Sequence, residues 1–186
     1  SNNIVGRLAN TYGDIELDNV DVLLKFVSKA GGGNHLEIGT LYGGSAIAVA
    51  LLKEELFQDG IVVCIDPLEG YYGNGDVSGV LVTPQILFHN IDTFEVGNRI
   101  LVMKAKSQPC ANLGIKFTTA YIDGDHKFEV PLMDWLCVKD VVQKYVIFDN
   151  CDDKHPAVQI ACMVAGNDPE WKCVYDSGIT YVVERI

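Results

Sequence analysis

The segment from His35 to Asp66 limits what this chain can fold into more than any other. It reads HLEIGTLYGGSAIAVALLKEELFQDGIVVCID. A short apolar run enters a turn bearing Gly39, Gly43 and Gly44, a helix-length apolar stretch follows to about residue 57, and a second apolar run at 61–65 closes on Asp66-Pro67. Runs this continuously apolar are strands buried on both faces, and two strands joined through a helix lie parallel. The segment is therefore predicted to be a β-α-β unit. Further strand-like runs follow at 99–103, 117–122 and 145–148, separated by helix-compatible stretches at 83–95 and 128–142. This alternation predicts an α/β fold, a mostly parallel sheet with helices on both faces.

The last part of the chain departs from that rhythm. Residues 171–175 and 179–184 are two β-rich runs joined only by Asp176-Ser177-Gly178. So short a connection makes a hairpin, so the seventh and last strand is expected to run antiparallel. Upstream, Val20, Leu23, Leu24 and Val27 recur at helical spacing, Asp18 stands where a cap would, and Gly31-Gly32-Gly33 stops the pattern. We expect one domain over residues 1–186, with 1–33 as a flanking or lid helix. The glycine- and tyrosine-bearing stretch 69–82 is the one long irregular insertion and is expected to act as a substrate lid.

A formal net charge of -11 disfavours nucleic acid and anionic membrane as partners, since both need clustered lysine and arginine. The longest apolar run, 46–52, is too short to cross a bilayer, and no charged-then-apolar leader opens the sequence. The expectation is a cytoplasmic protein with a small-molecule partner, free to form a homo-oligomer. Its six cysteines contain no C-x-x-C pair and mostly sit in apolar surroundings, which suits reduced core thiols better than zinc or disulfides.

Two motifs carry chemistry. In Leu36-Glu37-Ile38-Gly39-Thr40-Leu41-Tyr42-Gly43-Gly44-Ser45, a strand runs through glycines into a helix N-terminus, where a ligand can approach the backbone and meet free N–H groups. The dinucleotide fingerprint G-x-G-x-x-G would need glycine at Leu41, which disfavours a dehydrogenase. Asp66, at the tip of the next strand, has the chemistry to accept two hydrogen bonds from a ribose diol. Taken alone, each feature is equally well a plain turn or a capping carboxylate.

The second motif is Tyr121-Ile122-Asp123-Gly124-Asp125-His126-Lys127-Phe128, paired with Phe148-Asp149-Asn150 one strand and helix later. By itself the first stretch reads as a polar turn. In an open α/β sheet, however, ligands bind beyond the carboxyl ends of the strands, where adjacent strands would bring Asp123, Asp149 and Asn150 together. Two carboxylates and an amide oxygen suit magnesium or a similar hard cation. His126, three residues after Asp123, is placed to take a proton near neutral pH.

The Glu37-Ile38-Gly39 turn with Gly43-Gly44-Ser45 and Ile65-Asp66-Pro67 resembles the cofactor site of class I S-adenosylmethionine-dependent methyltransferases, a Rossmann-like, doubly wound fold of seven strands ending in an antiparallel hairpin strand. The resemblance covers about residues 34–186. It implies that Glu37, Gly39, Thr40, Gly43 and Ser45 line the methionine end of S-adenosylmethionine, that Asp66 holds its ribose, and that Ser107 lies near the adenine, with Asp123 also beside the cofactor. The pairing of Asp123 with Asp149-Asn150 resembles the metal-dependent O-methyltransferases of the catechol and caffeoyl-CoA type. His126 instead resembles the macrocin O-methyltransferase and cephalosporin-hydroxylase-like group, where the first group usually has lysine and the second more often has Asp-Asp at 149–150. Two departures stand out: residues 140–143 replace a Gly-Gly turn, and Lys104-Ala105-Lys106 stands where a glycine-acid pair is common.

These readings imply an S-adenosylmethionine- and Mg2+-dependent O-methyltransferase acting on a small hydroxylated acceptor, with Asp123, Asp149 and Asn150 on the metal and His126 as base. A metal-independent methyltransferase and a non-catalytic S-adenosylmethionine-binding protein are the alternatives. The remaining histidines are assigned structural places: His35 at a strand start, His89 on a helix, and His155 shaping the loop after Asn150, with Asp152-Asp153 as caps for the helix beginning there.

Overall fold

A computed structural model describes residues 4, 17–69, 83–107 and 113–186 of the chain. Helix α1 (Leu17–Ala30) leads into β1 (His35–Ile38), α2 (Gly44–Glu55) and β2 (Val62–Asp66). Then come α3 (Pro84–Thr93), β3 (Ile100–Lys104), β4 (Phe117–Ile122), α4 (Val130–Val138), β5 (Val142–Phe148), α5 (Pro156–Gly166), β6 (Trp171–Asp176) and β7 (Tyr181–Arg185). The strands form one sheet in the order β3-β2-β1-β4-β5-β7-β6. All neighbours are parallel except those of β7, which runs antiparallel to both β5 and β6. The expected doubly wound sheet with a reversed last strand is what the chain forms. The lid expected at 69–82 lies outside the described residues from residue 70 onward.

Burial explains why the central strands were easy to read. Every residue of β1 and β2 is buried, as strands covered by helices on both faces require. On one face, Leu23 and Val27 of α1 pack with Ile47 and Leu51 of α2 and Leu87 of α3. On the other, Trp135 and Val138 of α4 pack with Val158 and Cys162 of α5 and Phe148 of β5. Side-chain alternation along β1 divides the two cores: Leu36 and Ile38 enter the second, while His35 and Glu37 point to the first side.

Boundaries moved where polar residues interrupt the apolar signal. Strand β5 starts at Val142 rather than 145, because exposed Gln143 and Lys144 hide its first residues from an apolar count. The Lys144 ammonium there donates to the Ala30 carbonyl at the end of α1 (2.6 Å). Helix α1 begins at Leu17, so Asp18 lies inside its first turn instead of preceding it as a cap. Helix α3 is capped as its sequence suggests, with the Thr83 hydroxyl accepting from the Ile86 N–H and Pro84 at the first position.

The amino-terminal ends of the strands are tied by buried polar groups. Lys53 is 1 % exposed, and its ammonium donates to the carbonyls of Gly33 (2.6 Å) and Asp59 (3.3 Å); burial lowers its pKa. His35 pairs with the Thr119 hydroxyl (2.7 Å) across β1 and β4, the structural place expected for it.

Trp135 is fully buried and meets the rings of Trp171 (5.3 Å between centroids) and Phe148 (5.9 Å). Trp135→Ala should therefore destabilise the protein by about 3–5 kcal/mol in denaturant unfolding; a change below about 1 kcal/mol would show that this aromatic cluster does not organise the second core.

Candidate functional site

The sheet order reverses between β1 and β4, so the chain winds outward in both directions from that pair and leaves a crevice at their carboxyl ends. The strand ladder carries the motif residues into register there. Gly39 N–H donates to Ile65 O, Asp123 N–H to Ile38 O and Asp149 N–H to Ile122 O, at 3.0, 2.8 and 3.1 Å. Gly39 has φ +82, and a Cβ on it would lie 2.0 Å from the Asp123 carbonyl oxygen. A side chain at this position is excluded twice, by conformation and by contact. The glycine turn after β1 and the Asp123-Gly124 turn after β4 thus touch through backbone alone.

Beyond Gly39 the turn passes through Leu41 (φ 50) to Gly43 (φ 88), which starts α2 with no side chain capping the helix. The terminal N–H groups of α2 therefore face the crevice end of the sheet. Asp66 supports the turn from β2. One of its carboxylate oxygens accepts from the N–H groups of Thr40 (2.8 Å) and Leu41 (3.1 Å), and the other from Leu68 (2.7 Å). The residue expected to hold a ribose is thus first a fastener of the turn itself.

Glu37 is the outlying electrostatic feature. It is fully buried, and among the described residues neither its carboxyl oxygens nor the buried Thr40 hydroxyl makes a hydrogen bond of ordinary geometry, Ser45 and Thr40 being the nearest polar neighbours of the carboxyl. Burial pushes the Glu37 pKa up to about 8, with nearby Ser45 and Thr40 moderating the rise and the charges of Asp123 and Asp66 adding to it. A carboxyl group in this state offers itself to a cationic or hydrogen-bond-donating ligand.

On the opposite side of Gly39 lies a cavity of about 330 Å3, walled by Ile38, Ile65, Pro67 and Val130 with Ser107 and Asp134 as its buried polar groups. The Ser107 hydroxyl donates to Asp134, whose pKa burial raises to about 6. Ser107 was expected beside a base; Asp134 was not singled out, because an acid inside the apolar run of α4 carries no local signature. Only the turn of α4 toward β3 makes it part of this wall.

The acidic tips of β4 and β5 lie at the ends of paired strands. His126 Nε2 lies 3.3 Å from Asp123 Oδ1. Burial lowers the His126 pKa, but the hydrogen bond and charge of Asp123, with Asp149 and Asp125, outweigh it and leave the imidazole above its usual value. Asp149 is already well partnered. Its Oδ1 accepts from the Asn19 amide and the Asn150 N–H, and its Oδ2 from the Tyr121 hydroxyl, all at 2.8 Å. The Asn19 carbonyl in turn accepts from the Thr180 hydroxyl (3.0 Å), so α1 is fixed to the tips of β5 and β7 through this carboxylate. Asn19 lies in no motif, and Tyr121, although it opens the YIDGDHKF stretch, meets Asp149 only once β4 and β5 are side by side. Asn150 follows with φ 55.

His155 takes the place expected for it, bracing the loop after Asn150 at the start of α5. Its Nδ1 pairs with Asp152 Oδ1 (2.8 Å) and its ring meets that of His126 edge to face, 4.8 Å between centroids. Asp152 braces this turn through the Lys154 N–H, and Asp153 pairs with the Gln159 side chain; the residue at the helix start is His155 itself, with no side-chain cap. Asp125 accepts from the Lys127 N–H and borders the 330 Å3 cavity. Among the described residues, no group of three or more histidine, cysteine, aspartate or glutamate side chains is arranged to hold a metal ion.

No protein-family model matches the sequence, and no curated protein matches it. Solved structures do share its fold. An O-methyltransferase from Bacillus cereus in complex with SAH superposes with a TM-score of 0.70 at 17% identity, over 100% of this chain and 89% of that one. TomG from Streptomyces achromogenes, an O-methyltransferase involved in tomaymycin synthesis and bound to SAM, gives 0.71 at 13% identity over 98% and 89%. The cofactor-bound protein Rv0187 from MTB gives 0.72 at 15% identity over 99% and 86%. The chain has the Rossmann-like fold that these structures share. No described helix is long and apolar enough to cross a membrane.

The two titratable groups buried on β1 shape the stability profile in opposite directions. Glu37 stays protonated in the fold up to about pH 8 but ionises near 4.5 when unfolded, so stability should fall as pH rises between those values, by at most roughly 1.4 kcal/mol per pH unit. His35, held neutral with a pKa of about 3 by burial and the charge of Lys53, should destabilise the fold as pH falls from 6.5 toward 3. Thermal unfolding of Glu37→Gln should lose the first slope and keep the second; an unaltered slope between pH 5 and 8 would mean Glu37 is ionised in the fold.

Proposed function

We propose that the protein is an S-adenosylmethionine-dependent O-methyltransferase acting on a hydroxyl of a small molecule. The observation that carries the reading is the buried Glu37 carboxyl and Thr40 hydroxyl beneath the glycine turn, which make no hydrogen bond of ordinary geometry among the described residues, in a fold whose solved neighbours are methyltransferases bound to SAM or SAH. A ligand ending in an ammonium and a carboxylate answers both features. Glu37 and Thr40 would accept from the ammonium, and the uncapped start of α2, with Ser45, would meet the carboxylate. Gly39 and Gly43 keep that approach free of side chains. Asp66 keeps lone pairs for ribose hydroxyls beyond its three backbone bonds, and Ser107 with Asp134 gives the neighbouring apolar cavity its polar contact for the base.

A hard divalent cation would be held by Asp123, Asp149 and Asn150, oxygen donors that follow the ends of the paired strands β4 and β5. Asp149 would have to share its oxygens with Asn19 and Tyr121 to do so. When bound, S-adenosylmethionine supplies a methyl group on a sulfonium sulfur, and the cation would lower the pKa of the acceptor hydroxyl. His126 takes the acceptor's proton. Asp123 fixes the imbalance of its two ring nitrogens, holding Nε2 toward itself and orienting the ring. The rest of the contribution is alignment of acceptor and donor over the crevice.

His126→Ala should lower turnover by about 10²–10⁴ while leaving S-adenosylhomocysteine affinity unchanged in calorimetry. In the wild type, kcat/KM should rise with pH through an apparent pKa above 6.5. Turnover that survives the substitution intact would remove His126 from the chemistry. Asp149→Ala should abolish any magnesium stimulation; if excess chelator leaves the wild-type rate untouched, the metal-independent mechanism stands instead. Failure to bind S-adenosylhomocysteine at all would overturn the whole reading.

A further inference from the structure

A cavity of about 690 Å3 lies on the other side of the Asp149-Asn150 tip, between α5 and the β6–β7 hairpin, and the methyl transfer makes no use of it. Its wall contains Cys151, Cys162, Met163, Asp176, Ile179 and Tyr181. Cys151 directly follows Asn150 and is half-buried, while Cys162 projects from the second turn of α5 and is 2 % exposed. The two thiols adjoin each other, and both are free. Cys162 belongs to the second core, with Cys151 packed against it. The arrangement places two neighbouring thiols on one cavity wall, with Cys162 the more buried of the pair. Buried Cys64 lies in the opposite core, away from this cavity.

We propose that Cys151 and Cys162 form a reversible oxidation site in which a peroxide closes a disulfide between them. The Cys151 sulfur gives up its proton and attacks one peroxide oxygen; the O–O bond breaks and hydroxide leaves as water, giving a sulfenic acid. The Cys162 sulfur then gives up its proton and displaces the sulfenic hydroxyl, releasing a second water as the S–S bond forms. Two thiols and one hydrogen peroxide become one disulfide and two waters, with the sulfurs supplying the two electrons that reduce the peroxide. Because a disulfide holds its sulfurs about 2.05 Å apart, closure draws Cys151 toward α5. That residue's N–H donates to the Ile179 carbonyl (2.7 Å), and its neighbour Asn150 sits at φ 55, so the loop that would shift is the one carrying the strand-tip amide. A dithiol reductant reopens the bond.

The test is peptide mapping by mass spectrometry of the whole folded protein after treatment with near-stoichiometric hydrogen peroxide. The expected product is a Cys151–Cys162 linked peptide pair that dithiothreitol removes. Cys162→Ser should lose the link and accumulate a Cys151 sulfenic acid that dimedone traps, while Cys173→Ser, altering the exposed thiol of β6, should keep the link at wild-type yield. Circular dichroism identifies any variant that misfolds, and the wild-type map decides the matter without the variants. Absence of the linked pair, linkage through Cys173 instead, or over-oxidation of Cys151 with no disulfide would each overturn the proposal.

Discussion

The passage of Gly39 against the Asp123-Gly124 turn is the contact from which the site is built. The ladder would align β1 and β4 without it, but the two turns beyond the strands would then be separate loops. Because Gly39 has no side chain and takes a left-handed φ, the backbone after β1 lies directly on the backbone after β4. The glycine turn and the Asp123–His126 segment consequently share one rigid floor. A ligand seated on the first is within reach of the second, with no mobile side chain between them to blur the distance.

Of the buried carboxyl groups close to that floor, Asp149 and Glu37 are in opposite conditions. Asp149 is saturated by neutral donors, two side chains and a backbone N–H, and it joins α1 to the sheet. Glu37 has no hydrogen bond of ordinary geometry among the described residues, and burial raises its pKa. Desolvation opposes ionisation, and that is the condition of Glu37 beside the crevice. One carboxyl holds the architecture together, and the other remains open to what enters the crevice.

Much of this was legible in the sequence because the central features are local. The β-α-β unit is an uninterrupted apolar, glycine, apolar string, and the short connection of residues 177–180 between β6 and β7 dictates a reversed strand. Strand tips could be found because acids and glycines follow apolar runs at 38–39, 122–123 and 148–149. What could not be read depends on partners far apart in the chain. Asn19 meets Asp149 across 130 residues, and Ser107 meets Asp134 across 27 and a change of sheet face. Helical periodicity shows that Asp134 interrupts an apolar face, but not that a serine waits opposite. The contact of His155 with His126 was hidden likewise, since the link to Asp152 is local while this one needs β4 and β5 side by side. The start of β5 was missed because Gln143 and Lys144 face solvent, and an outward-facing strand residue looks like loop.

The buried ammonium of Lys53 sits at the opposite end of the sheet from all of this. It gathers the Gly33 and Asp59 carbonyls where β1 and β2 begin, beside the His35–Thr119 pair. The molecule thus has an anchored end and an end that carries the crevice, separated by the length of its strands. The loops at the crevice end can therefore be lengthened or exchanged while the root of the sheet keeps its register, so that variation in one does not propagate to the other.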